Sequence, residues 1–112
     1  MTVVETPSFL RDAAAMDEGE RMEVVTYIAS NPDAGEIMAE TGGVRKLRWK
    51  APGRGKRGGV RIIYYYHNDL FPLFLLSMFA KNEKANLTKT ERNIMKTLLP
   101  RLTAGYHKRV IQ

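Results

Sequence analysis

Two neighbouring runs of β-branched and aromatic residues constrain the fold of this chain more than any other feature. The first run, 60–66, reads Val-Arg-Ile-Ile-Tyr-Tyr-Tyr, and after a His-Asn-Asp turn a second apolar run spans 72–79. Such residues favour strands, and a short turn between two strands produces an antiparallel hairpin. Because both runs are almost continuously apolar, we expect central strands that helices cover on at least one face.

A third strand is predicted at 44–50, where basic and apolar residues alternate. Side chains point to opposite faces of a strand with a period of two residues. Leu47 and Trp49 are therefore expected to point to the core. Lys46 and Arg48 are expected to point outward together on the other face.

The connection between this strand and the next, 51–59, holds four glycines and one proline, which is typical of a turn-rich hairpin loop. It carries three cations: Arg54, Lys56 and Arg57. In the strand that follows, the alternation places Arg61, Ile63 and Tyr65 on one face and Val60, Ile62, Tyr64 and Tyr66 on the other. Paired strands bring residues of a shared face together, so we expect the strand and loop cations to converge on one phosphate-binding patch.

Two helices are predicted ahead of these strands. Thr6 is a suitable N-cap, and Pro7 favours the first position of a helix that we place at 8–16. A second helix is predicted to begin at Asp17 and to end before Asn31. Its apolar residues recur at helical spacing: Met22, Val25, Ile28 and Ala29.

A last helix is predicted near the C-terminus. Thr88 and Glu91 have the spacing of a capping box, which opens a helix. The apolar stripe of this helix is expected to pack against another surface: Ile94, Met95, Leu98, Leu99 and Leu102. Pro100 should kink the helix or end it, and Gly105 should end it in any case.

Two further segments complete the prediction. The β-branched segment 2–5 suits a short strand, and 33–40 lacks periodicity, so we expect a loop there with at most a short helical turn. The chain has 112 residues, and a second core would leave each half too small to bury enough apolar surface. We therefore expect one α+β domain over 1–112.

The charges are sorted by position along the chain. Residues 1–43 hold two basic and nine acidic side chains, whereas 44–112 hold sixteen basic and three acidic ones. Eight of the cations lie between Arg45 and Arg61, a stretch without any acidic residue. Such a concentration is typical of proteins that bind nucleic acids, although a solvated basic surface remains an alternative. Arg61, within an apolar strand, could instead be a buried partner of a carboxylate.

Several classes of protein are disfavoured by the composition. The absence of cysteine excludes disulfides and thiolate metal sites, and two histidines in a turn and a tail make a metal site improbable. The N-terminus lacks the pattern of a signal peptide, and no apolar run approaches the roughly 18–20 residues that span a bilayer, so we expect a cytoplasmic protein. No phosphate-loop, dinucleotide or serine-triad motif is present, and no cofactor is expected.

Cations alone can support cleavage of RNA by its own 2′-hydroxyl. That reaction needs in-line positioning, stabilisation of the phosphorane's charge, and proton transfers. Arginine suits the second task, and a lysine crowded by other cations loses basicity and can accept a proton. The adjacent aromatic residues, among them Tyr65, could stack on unpaired bases, although strand aromatics more often pack in cores. Sequence alone does not assign these roles.

Three runs, 41–48, 55–65 and 80–83, in this order and at these separations, resemble the RelE-like toxins, specifically the HigB-like branch. The resemblance implies a small antiparallel-rich sheet with two N-terminal helices and a C-terminal helix. It also implies the toxin of a type II toxin–antitoxin pair, a metal-independent endoribonuclease that cuts mRNA in the ribosomal A site. The implied partners are mRNA, ribosomal RNA and a helix-turn-helix antitoxin. Operator DNA would be bound only through the toxin–antitoxin complex, and no membrane is involved.

The resemblance also implies roles for individual residues. The cations that match the family's catalytic and phosphate-binding positions are Lys46, Arg48, Arg61 and Lys81. The basic loop residues Lys56 and Arg57, with Arg54 beside them, look like contacts to mRNA or the ribosome. The family often has a tyrosine near the start of the last helix, where this chain has Leu87 and Thr88, so the proton acceptor is left unassigned.

Two other functions fit the same sequence. A noncatalytic RNA- or DNA-binding module would need only the basic patch and the tyrosines. A protein-interaction domain could use the acidic helices and the basic sheet to bind partners of opposite charge.

Overall fold

The computed structural model describes residues 1–50, 59–81 and 86–111, with side chains described as far as residue 104. The elements in chain order are β1 (Val3–Glu5), α1 (Pro7–Asp12), a 3-10 turn (Ala13–Ala15), α2 (Glu18–Ser30), β2 (Glu36–Ile37), β3 (Val44–Trp49), β4 (Val60–Tyr65), β5 (Leu73–Ala80) and α3 (Lys89–Ile111).

The five strands form one sheet in the order β1-β5-β4-β3-β2. β1 runs parallel to β5, and the other neighbouring strands are antiparallel. The hydroxyl of Thr6 ties the exit of β1 to β5 by donating to the carbonyl oxygen of Leu75 at 2.8 Å. The structure is therefore an α+β fold with an antiparallel-rich sheet and three α-helices, which confirms the predicted fold class.

Alternation along β4 divides the core between the two faces of the sheet. Ile62 and Tyr64 are fully buried with Phe9 of α1 and Ile28 of α2. The opposite face, which we call the α3 face, buries residues from three strands and α3: Val44, Ile63, Tyr65, Phe74, Leu76, Phe79 and Leu99. Helices thus cover both faces, which explains why the strand sequences are apolar on both sides.

A bulge sets which residues of β5 lie on the α3 face. Ile63 pairs with Ser77 but Tyr64 pairs with Leu75, so Leu76 is an extra residue between two pairs. A bulge changes the alternation of the strand that carries it. As a result Phe79 lies directly opposite Arg61 and packs in the core of the α3 face.

The helix starts follow the sequence closely. The Thr6 hydroxyl accepts the backbone N–H of Phe9 at 3.2 Å, and the Asp17 carboxylate accepts that of Glu20 at 2.8 Å. At α3 the capping box is reciprocal, because Glu91 N–H donates to the Thr88 hydroxyl at 3.1 Å and Thr88 N–H donates to the Glu91 carboxylate at 2.8 Å. The three predicted caps are confirmed.

Two predictions about the elements are wrong. The segment 33–40 contains strand β2 rather than a helical turn, because it pairs with β3. Helix α3 does not end at Gly105 but runs to Ile111, and Pro100 lies inside it. Leu99 and Leu102, on either side of the proline, both pack on the core of the α3 face, and this packing offsets the hydrogen bond that the proline removes.

The apolar helix stripes are only partly buried. Met22 on α2 and Ile94 and Leu98 on α3 are exposed, by 47%, 57% and 38%. Leu99 and Leu102 of the α3 stripe pack on the core of the α3 face, whereas Ile94 and Leu98 stay exposed. No helix in the described ranges is long and apolar enough to cross a membrane.

Candidate active site on the sheet

Three of the four cations predicted to be catalytic share one face of the sheet. Arg48 of β3 lies directly opposite Arg61 of β4, and Lys46 lies directly opposite Ile63. Directly opposed residues project to the same face, with Cβ atoms about 4.5–5.5 Å apart. This is the α3 face, because Ile63 belongs to its core. The predicted convergence of Lys46, Arg48 and Arg61 is therefore what the strand register gives.

Lys81 lies beside this group at the end of β5. Its backbone N–H donates to the carbonyl oxygen of Gly59 at 3.1 Å, which extends the pairing of β4 and β5 by one residue. Gly59 has a φ of +152°, and a Cβ at this position would lie 3.4 Å from Nη1 of Arg61. The guanidinium of Arg61 therefore lies over the start of its own strand, next to Lys81.

The cations of this face are not neutralised within the described ranges. Arg48 is exposed and Lys46 and Arg61 are half-buried, and none of the three forms an ion pair with a described carboxylate. The strand register instead places Arg48 directly opposite Arg61, and a pair of like charges in this position is unfavourable without a bound anion. The alternative of Arg61 as a buried partner of a carboxylate finds no support in this part of the chain.

Glu36, which the sequence analysis did not select, faces the same group. It lies directly opposite Lys46 across the β2–β3 pair. It lines a depression of about 190 Å³ with Lys46 and Arg48, and a second of about 210 Å³ with Lys46, Asn86 and Arg92. Only the pairing of β2 reveals this placement, since a strand of two residues leaves no periodic signal in the sequence.

The position of β2 depends on a buried hydroxyl. Tyr64 is fully buried, its hydroxyl donates to the carbonyl oxygen of Pro32 at 2.8 Å, and it accepts the N–H of Gly35 at 2.8 Å. Arg45 adds a bond from Nη1 to the carbonyl oxygen of Gly35 at 2.8 Å. These contacts hold the residue before Glu36 against β3 and β4. Burial raises the pKa of the Tyr64 phenol above its ordinary value.

Gly35 is required by this contact. A Cβ on Gly35 would lie 2.9 Å from both Cε1 and the hydroxyl oxygen of Tyr64, closer than real Cβ atoms approach. The loop between β2 and β3 is fixed in turn by Thr41, which is fully buried. Its hydroxyl donates to the carbonyl oxygen of Met38 at 2.8 Å and accepts the N–H of Val44 at 3.0 Å.

The aromatic residues near the cations belong mainly to the interior. Tyr65 is 8% exposed in the core of the α3 face, and its hydroxyl lies 3.1 Å from Nδ1 of His67. Trp49 packs edge-on against Tyr27 of α2, with ring centroids 5.6 Å apart, on the opposite side of the sheet. Such placement gives base stacking by Tyr65 no support. The loop cations Arg54, Lys56 and Arg57 lie outside the described residues.

The cluster of cations on one face of this small sheet can be compared with known protein families. A model of the RelE toxin of the RelE/RelB toxin–antitoxin system matches residues 9–110. The chain belongs to the RelE toxin family. It is thus the toxin of a toxin–antitoxin system, and toxins of this family are generally endoribonucleases that act on the translation machinery and have an antitoxin partner.

The start of α3 lacks the tyrosine that the resemblance to the family implies. Thr88, in the neighbourhood where the resemblance implies a tyrosine, forms the capping box of α3 through its hydroxyl. Thr88 therefore has a structural task at the helix start.

Proposed function

We propose that this RelE-family toxin is a metal-independent endoribonuclease that cuts mRNA in the A site of the ribosome and so inhibits translation. The pairing of Arg48 with Arg61 across β3 and β4 carries this proposal. Two arginines facing each other without a carboxylate cost stability unless an anion binds between them. A phosphodiester fits that requirement, because guanidiniums bind phosphate in a bidentate manner.

The proposed roles follow the geometry. Arg48 and Arg61 hold the scissile phosphate and stabilise the additional negative charge of the phosphorane. Lys46, two residues from Arg48 on the same face, and Lys81, beside Arg61, extend the cationic surface in two directions. The loop cations Arg54, Lys56 and Arg57 are proposed to contact mRNA or ribosomal RNA through their charge.

The proposed partners come from the family and the resemblance to the HigB-like branch. They are mRNA in the ribosome and a helix-turn-helix antitoxin, with operator DNA bound only through the complex of the two proteins. The proposed site of action is the cytoplasm, where translating ribosomes lie.

A cleavage assay on programmed ribosomes tests the proposal. Wild-type toxin should cut mRNA on ribosomes after EDTA has removed zinc, with enough Mg²⁺ kept to hold the ribosome together. It should leave free mRNA uncut. Arg61→Ala should lose at least about 100-fold in cleavage rate, because one preorganised charge contact is worth that much. Arg11→Ala is the matched control, since Arg11 is an exposed cation on α1 that bonds to Ser8.

Three results separate the possibilities. Loss of cleavage in Arg61→Ala but not in Arg11→Ala supports the nuclease. Salt-sensitive RNA binding by a wild-type protein that leaves every transcript intact would replace the nuclease with a noncatalytic binding module. Equal cleavage by Arg61→Ala and wild type would remove the cationic pair from the active site.

A further inference from the structure

We propose that Glu36 is the proton acceptor of the cleavage reaction, an inference that rests on the proposed ribonuclease function. Strand pairing places its side chain on the face that carries the cations, directly opposite Lys46. Among the described carboxylates, Glu36 is the one that strand pairing places there. It is exposed, and it forms no ion pair with a described residue.

The spacing suits proton transfer to the phosphate site. Residues two apart on a strand are about 6.6–6.8 Å apart, so Glu36 and Lys46 form one row and Arg48 and Arg61 form the next. A phosphate held by the two arginines leaves its neighbouring 2′-hydroxyl within the reach of a glutamate side chain from the first row. The depression of about 190 Å³ that Glu36, Lys46 and Arg48 line provides room for the sugar.

Three other described groups that can accept a proton are engaged elsewhere. The Asp12 carboxylate accepts the N–H of Met78 at 3.0 Å, and the Asp69 carboxylate accepts the hydroxyl of Tyr66 at 2.7 Å. His67 lies at the far end of β4, where its ring contacts Phe71. The position of Glu36 in contrast leaves its carboxylate open to a bound nucleotide.

Glu36 and Lys46, which lie in one row, supply the two proton transfers of the proposed reaction. The 2′-hydroxyl gives its proton to the Glu36 carboxylate while the 2′-oxygen forms a bond to phosphorus. The bond from phosphorus to the 5′-oxygen breaks, and that oxygen takes a proton from the Lys46 ammonium. The products are a 2′,3′-cyclic phosphate and a 5′-hydroxyl. Glu36 then returns its proton to the Lys46 amine across the strand pair, which restores both groups.

Cations surround Glu36 on this face. Lys46 and Arg48 face it from β3, Arg61 from the adjoining row of β4, and Arg92 from the first turns of α3.

The experiment compares Glu36→Gln, Glu36→Asp and a matched control, Glu23→Gln, on the exposed side of α2. Cleavage of mRNA on ribosomes is followed as a single turnover. Glu36→Gln should be slower by about 100- to 10,000-fold, the usual worth of a general base. Glu36→Asp should retain part of the rate, and Glu23→Gln should match the wild type.

A modified substrate separates the acceptor from the donor. An mRNA with sulfur in place of the 5′-bridging oxygen has a leaving group that needs no proton. It should restore cleavage by Lys46→Met but not by Glu36→Gln. Binding of the variants to ribosomes is measured in parallel, so that a loss of affinity is not mistaken for a loss of chemistry.

Each outcome decides the proposal. If Glu36→Gln cleaves within about threefold of the wild type while Arg61→Ala is inactive, Glu36 is not the acceptor but the nuclease function stands. Rescue of Glu36→Gln by the sulfur substrate would likewise overturn its assignment as acceptor. If the wild type leaves mRNA uncut on ribosomes, the nuclease function fails and the role of Glu36 fails with it.

Discussion

The buried hydroxyl of Tyr64 provides the sharpest test of how this fold positions its candidate site. Tyr64→Phe keeps the ring in the core and removes one oxygen. That oxygen serves two backbone groups, the N–H of Gly35 and the carbonyl of Pro32, each at 2.8 Å. The variant therefore leaves a donor and an acceptor without their partner, with little change in packing volume.

The expected cost follows from the burial of those groups. An unsatisfied buried polar group costs about 1–3 kcal/mol. The N–H of Gly35 is buried, and leaving it without a partner should cost an amount near the middle of that range. The carbonyl oxygen of the half-buried Pro32 can accept a hydrogen bond from water instead. We expect a loss of about 2–3 kcal/mol in the free energy of unfolding, which is roughly 8–12 °C in Tm for a chain of this size.

Chemical and thermal denaturation measure this loss. Tyr66→Phe is the control, because its hydroxyl also donates one hydrogen bond, to Asp69, but at the surface, and it should change stability by less than about 0.5 kcal/mol. Cleavage should also fall in Tyr64→Phe, since β2 carries Glu36. A stability loss below 0.5 kcal/mol in Tyr64→Phe would show that the hydroxyl does not hold β2.

The same residue predicts behaviour at alkaline pH. An unfolded tyrosine ionises near pH 10, whereas burial raises the pKa of Tyr64 in the folded protein. The folded protein therefore keeps this proton at pH values where the unfolded chain loses it. The stabilisation is complete below pH 10 and is lost as the pH rises above 10 toward the folded pKa. The fall of unfolding free energy above pH 10 should be shallower in Tyr64→Phe than in the wild type.

Three further substitutions test separate parts of the structure. Gly35→Ala should destabilise by about 1–3 kcal/mol in denaturant unfolding, because its Cβ would meet Tyr64 at 2.9 Å; an unchanged midpoint would contradict this. Thr88→Ala should cost about 1 kcal/mol by removing the cap of α3, whereas Thr88→Ser should restore it. Arg48→Met should raise stability by about 0.2–1 kcal/mol at low salt, by relieving the repulsion from Arg61, while cleavage falls; lower stability would show that the arginines support the fold.

Much of the fold was available from local patterns. Capping residues set the starts of the helices, and period-two alternation set which side chains of β3 and β4 share a face. Both signals depend on neighbours within a few residues, so one sequence carries them. The end of α3 was not available in this way. Packing of Leu99 and Leu102 on distant strands outweighs the local effect of Pro100.

The candidate site likewise combines features that follow from local patterns with features that depend on long-range contacts. Alternation is a property of each strand alone, so it is enough to predict that Lys46 and Arg48 share a face and that Arg61 follows on the next strand. The pairing of Arg48 with Arg61 and of Glu36 with Lys46 is visible only in the assembled sheet. The register depends on hydrogen bonds between strands and on the hydroxyl of Tyr64. This hydroxyl binds Gly35, which lies 29 residues earlier in the chain. Such long-range contacts leave no periodic trace in the chain.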